Sequence, residues 1–182
     1  MLLVLSLFLI SALAQVSPYV GGVVPPASIR TTGVFNLAAC FTINAPAFAT
    51  ALGFWSPNDN LVNVQVGLFR MPSVGAASPY DPANPGTAVV LPGGGTFRTL
   101  TCTSPCSSTP GYFSVNDYYY QSLSSPLLLT AGTYCVNAFF DGANDPFVAS
   151  DTTVNVRSTN SIFTTYGTGQ FPNGRSGGGA SC

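Results

Sequence analysis

The side chains with the most chemistry to offer are the five cysteines, Cys40, Cys102, Cys106, Cys135 and Cys182. In an oxidising compartment five cysteines imply disulfides plus one thiol left over, and choosing the odd one and pairing the rest allows about 15 arrangements. Two features narrow the field. Cys102-Thr103-Ser104-Pro105-Cys106 is a loop short enough for a local bridge. Cys40 and Cys135 each fall, by apolar alternation, on the non-core face of a strand, and side chains that face the same way meet a necessary condition for a cross-strand bridge. The expected pairs are Cys40 with Cys135 and Cys102 with Cys106. Cys182, at the end of a Gly-rich tail, remains for a partner chain or a small thiol, or stays free; both readings are open. The Cys102/Cys106 pair resembles half a zinc site, but there is no second pair and no histidine, so no metal is expected.

Catalytic readings fail on inventory. The chain has five Arg and six Asp and lacks Lys, Glu and His. General acid-base work would fall to Asp, Tyr or a thiolate with no base beside it, so neither an enzyme nor a cofactor is expected. Asp141-Gly142-Ala143-Asn144-Asp145 has the oxygen groups and turn glycine of a calcium loop but lacks the spaced third carboxylate, and it reads as an Asx-turn connection, as do Asp59 and Asn60. The run Tyr118-Tyr119-Tyr120, with Trp55 and Tyr112, is the best candidate ligand surface, since flat rings stack on sugar faces. Alternation puts Tyr118 and Tyr120 on one face and Tyr119 on the other. One face of a strand is usually core, so Trp55, Tyr118 and Tyr120 are the glycan-stacking candidates and at least one ring of the run is structural.

Charged residues make up 6% of the chain, with the arginines scattered singly. A protein that neutralises phosphates needs a basic stripe, so nucleic acid is not an expected partner. Low charge also removes the self-repulsion that keeps proteins apart, a composition that tolerates association. Met1 to Ala14 is an uncharged, predominantly apolar run, interrupted only by Ser6 and Ser11 and ending in Ala12-Leu13-Ala14, the pattern of a cleaved secretory signal, which makes Gln15 the expected mature N-terminus. It is shorter than the roughly 20 residues a membrane-spanning helix needs, as is every later apolar run, and a secreted rather than a membrane protein is expected.

The elements that must position these groups are strands. Helix formers are scarce, and 19 Gly and 15 Pro punctuate short runs of Val, Ile, Thr, Phe and Tyr. Gly33 to Ile43 alternates as a half-buried strand, with Phe35, Leu37, Ala39, Phe41 and Ile43 inward. Phe48 to Trp55 and Leu61 to Phe69 read as a hairpin joined by a polar turn. Thr87 to Leu91 and Thr96 to Leu100 are edge strands in a Pro- and Gly-rich region. Gly111 to Gln121, Pro126 to Leu129 and Thr133 to Phe140 resume the pattern, and Phe147 to Ala149, Thr153 to Val156 and Ser161 to Tyr166 are shorter strands. Such spacing predicts an all-β, two-sheet β-sandwich, jelly-roll or immunoglobulin-like. The predicted organisation is a signal over 1–14, an extension over 15–31, one domain over 32–171 and a flexible tail over 172–182.

Ala51-Leu52-Gly53-Phe54-Trp55, Val64-Gln65-Val66-Gly67-Leu68-Phe69 and Pro126-Leu127-Leu128-Leu129-Thr130-Ala131-Gly132-Thr133-Tyr134 resemble, in that order, the strands of uncharacterised β-sandwich domains of secreted, cell-surface bacterial proteins. The resemblance runs from Thr32 to Phe171 and implies an extracellular adhesion, matrix or carbohydrate-associated module, with no catalytic residues. Domains of that kind close with one more apolar strand after a Gly-rich stretch, whereas here Cys182 ends such a stretch. At the other end, Gln15 to Arg30 has no counterpart in the pattern. A sandwich lacking its closing strand leaves unpaired backbone groups. A neighbour's extension, through Val16, Tyr19, Val20, Val23 and Val24, is the expected donor. Head-to-tail repetition of that contact makes a fibre. A fragment, or an extension folded on its own domain, are the competing readings. The leading expectation is a structural subunit of an extracellular fibre or matrix whose partner is itself; the second is a carbohydrate-binding or adhesive module.

Overall fold

The computed structural model describes residues 29–30, 35–55, 61–72, 85–102, 105–115, 118–140, 147–148 and 162–165. Strands make up most of them: β1 (Ile29–Arg30), β2 (Phe35–Ile43), β3 (Ala47–Trp55), β4 (Leu61–Arg70), β5 (Thr87–Ala88), β6 (Phe97–Cys102), β7 (Tyr112–Val115), β8 (Tyr118–Leu129), β9 (Gly132–Phe140), β10 (Phe147–Val148) and β11 (Phe163–Thr165). The only helical element among the described residues is a single 3-10 turn at Cys106–Ser108. Every strand pairing among them is antiparallel.

Two sheets carry the fold. The larger has the order β11-β2-β9-β4-β5, with β6 also paired to β4, and the smaller is β3-β8-β7. β1 and β10 pair separately, Ile29 opposite Val148 and Arg30 opposite Phe147. One buried cluster joins the two sheets. The six-stranded sheet contributes Phe41, Ile43, Leu61, Val64, Val66, Leu68, Leu100, Tyr134 and Ala138, and the three-stranded sheet contributes Leu52, Tyr119, Leu123 and Leu129. Fully enclosed Leu61, Leu68, Leu100 and Ile43 are each worth about 1.5–3 kcal/mol relative to exposure.

The expected hairpin of β3 with β4 does not form. β3 pairs with β8 and β4 with β9, so the chain crosses from the smaller sheet to the larger between them. Alternation on β3 and β4 is satisfied equally well by either arrangement, because it specifies which face is buried and not which strand lies alongside. The two segments read as Gly111 to Gln121 and Pro126 to Leu129 are instead a β7–β8 hairpin whose second arm, β8, runs unbroken from Tyr118 to Leu129. Between Ala49↔Leu127 and Ala51↔Ser122 the register shifts, leaving Pro126 in a bulge, where its missing N–H costs no ladder bond.

β2 is buried on both faces rather than one. Phe41 and Ile43 enter the shared core, while Ala38 and Cys40, on the face expected to be solvated, join Phe69, Met71 and Cys135 in a second cluster edged by Ala88 and Phe97. β9 does the same: Tyr134 and Ala138 face the shared core, and the alternate residues Thr133, Cys135 and Asn137 are buried as well. Central strands of a sheet with side chains layered on both sides lose the clean inside-outside alternation. Thr42 and Thr133, directly opposite each other, join hydroxyls at 3.1 Å.

Candidate functional site

Cys40 and Cys135 are cross-strand partners in the β2–β9 ladder, with Cα atoms 4.0 Å apart and a disulfide between them. Cys102 and Cys106 form the second disulfide, across a sequence separation of 4. That loop bridge is no surface clip: both of its cysteines are buried in the shared core. All four cysteines are therefore structural and shielded. Cys182 lies outside the described residues, as do Val16, Tyr19, Val20, Val23 and Val24. The Asp141 to Asp145 segment, Asp59 with Asn60, and the strand expected over Thr153 to Val156 also fall outside them. Among the described residues no three His, Cys, Asp or Glu come together as a metal-binding group, and no helix is long and apolar enough to cross a membrane.

The candidate aromatic residues Trp55, Tyr112, Tyr118, Tyr119 and Tyr120 all stand on strands of the three-stranded sheet. Tyr119 is buried in the shared core, whereas Tyr120, its neighbour on β8, is half-buried on the opposite face. Register puts Gly53 of β3 and Phe113 of β7 on either side of Tyr120. The Tyr120 ring fills the space a side chain at Gly53 would need: a Cβ there would overlap ring atom Cδ1 and lie 2.7 Å from the Tyr119 carbonyl oxygen. On its other side Tyr120 stacks on Phe113, centroids 5.3 Å apart and planes 17° from parallel. Gly53, Tyr120 and Phe113 thus make a row across all three strands. Trp55 and Tyr118 are register partners at the end of the same ladder, and their side chains lie outside the described part. At the opposite end Phe48 and Leu128, also register partners, are 61% and 55% exposed.

The edges of this small sheet differ. β7 is four residues long and is tied to the larger sheet, because the Thr101 amide of β6 donates to the Tyr112 hydroxyl at 3.0 Å. Thr101 in turn donates its hydroxyl to the Asn63 Oδ1 at 3.0 Å, and the Asn63 amide donates back to that hydroxyl oxygen at 3.2 Å. Asn63 has a φ of 55°, the left-handed conformation Asn tolerates better than most residues, and sits where the β4–β6 register shifts. Burial raises the Tyr112 hydroxyl above its ordinary pKa, partly offset by the hydrogen bond from Thr101. β3 is nine residues long, and among the described residues its only backbone pairing is with β8.

A cavity of about 330 Å³ opens at the far end of the larger sheet, lined by Arg70, Met71, Pro72, Pro85, Thr87, Gly132 and Thr133. Sequence reasoning singled out none of these residues, nor Phe113, Phe48 or Leu128. Phe113 was legible in principle, since it stands in a short strand next to the Tyr run across a two-residue connection. Comparison of the chain with protein-family models, with curated proteins and with solved structures finds no match.

Proposed function

We propose that this protein is a secreted structural subunit of an extracellular fibre or matrix, a β-sandwich of jelly-roll or immunoglobulin-like type with a sheet edge that receives a strand from a neighbour's N-terminal extension. The observation that carries this reading is the imbalance of the two sheets. Among the described residues three strands face six, and β3, β7 and β8 contain no charged residue at all. Soluble monomers ordinarily protect sheet edges with Lys, Pro or inward charges. The two buried disulfides are compatible with the secretory route that the leader implies. Removing Gln15 to Ser28, which leaves β1 in place, is expected to abolish polymer while a soluble, folded monomer remains. Polymer that persists without the extension would sink the donor role.

A carbohydrate-binding or adhesive role is the second reading, favoured by one observation, the half-buried Tyr120–Phe113 stack on the outer face of the small sheet. Glycan-array binding abolished by Tyr120→Ala would support it, and an array with no signal for the unaltered protein would remove it.

A further inference from the structure

We infer that the acceptor for the exchanged strand is the outer edge of β3, and that its occupant is the Val16 to Val24 segment of a second copy of this chain. The inference rests on the fibre reading and names the surface that reading needs.

The described edges are not equivalent. β5 and β11 are two and three residues long, too short to template a strand. β6 carries Arg98, a charge of the kind that discourages pairing, and the Arg98 guanidinium donates to the Pro92 carbonyl, which holds the preceding turn against the strand. β7 is short and fastened through Tyr112 to β6. β3 alone combines nine residues, no charge, no proline and an outer edge without a described backbone partner. Beside that edge, on the solvent face, Phe48 and Leu128 stand exposed, apolar surface that a further strand would partly cover.

The occupant follows from the chain outside the described residues. Gln15 to Ser28 has no charged residue and places Val at 16, 20, 23 and 24 and Tyr at 19, side chains that favour a pleated, half-buried setting. The nine residues Val16 to Val24 take about 30 Å as a strand, and the four residues between them and Ile29 reach about 13 Å to span between copies. The root of the extension is fixed, since Ile29 and Arg30 pair with β10 of their own chain. Pro18 is compatible with an added strand, which becomes the new edge and can turn its N–H-less residue outward.

The test uses full chains with Cys182→Ser. One population carries Val16→Cys, Val20→Cys or Val24→Cys, the other carries Thr50→Cys on β3, and the two are mixed and oxidised. A disulfide between the populations can form only between chains. The expected result is a cross-linked heterodimer, for at least one donor position, at tenfold or more over the yield with Ser114→Cys on β7. Polymer that forms with equal or greater cross-linking to Ser114→Cys overturns β3 as acceptor and leaves the fibre reading standing. Failure of the unaltered chain to polymerise overturns both. As a second variant, Thr50→Lys is expected to block polymerisation with an unchanged circular dichroism spectrum, and normal polymer from it would also overturn the β3 assignment.

Discussion

Replacing each cystine by an alanine pair separates the two disulfides energetically. A cross-link removes loop-closure entropy from the unfolded chain in proportion to the logarithm of the loop it closes. Cys40–Cys135 closes a sequence separation of 95 and Cys102–Cys106 one of 4. The chain-entropy relation gives about 4.7 kcal/mol for the first and about 2 kcal/mol for the second. The smaller loop is nested inside the larger and barely shortens it, so the two are nearly additive. Both pairs are buried, so the loss of sulfur packing is of similar size in each and cancels in the comparison. Urea unfolding of the Cys40→Ala/Cys135→Ala and Cys102→Ala/Cys106→Ala proteins is therefore expected to show the former less stable by about 2–3 kcal/mol. Equal losses, or a larger loss for the short loop, would refute the reasoning and show that local packing around Cys102 and Cys106 outweighs loop closure.

Gly53→Ala drives a methyl group into the Tyr120 ring and the Tyr119 carbonyl and is expected to cost about 1–3 kcal/mol in urea unfolding. Gly67→Ala, whose Cβ would sit 2.8 Å from the Phe97 ring, should fall at the lower end of that range, because the ring can give way. The raised Tyr112 pKa makes stability depend on pH in the alkaline range only. The protonated hydroxyl is favoured in the folded state, so its contribution is fully present below about pH 10, the unfolded value, and is lost as pH rises through the higher folded value. In thermal melts from about pH 8 to 11.5, spanning the ordinary tyrosine pKa, Tyr112→Phe should flatten part of the alkaline decline, and an unaltered slope would remove Tyr112 as a source of it.

Strand positions were legible because period-two alternation is local: the runs around Phe41, Val66 and Val136 all became strands near the expected bounds. Partners were not, since the crossing of the chain from β3 to β4 between sheets depends on β8 and β9, far along the sequence. The second buried face was hidden for a related reason. Ala38 and Cys40 look like the small side chains of a solvated face, and only the arrival of Phe69 and Met71 from β4 and its end covers them. The cystine pairs could be proposed from spacing and facing, but the burial of Cys102 and Cys106 could not, because so short a loop says nothing of what packs over it. The glycines of the Ala51 to Trp55 and Val64 to Phe69 segments gain their meaning only from register: each lies opposite an aromatic ring, Tyr120 for Gly53 and Phe97 for Gly67, that occupies the place of its side chain. That β3 pairs only with β8 among the described residues was likewise out of reach of the sequence, which shows an uncharged strand but not its place in a sheet.

The central claim is assembly, and electron microscopy of the native material tests it most directly. Filaments of a domain's width, in which each subunit contacts the next in the same sense, are the expected result. Dispersed single particles, with no filament at any protein concentration or ionic strength tried, would contradict the account.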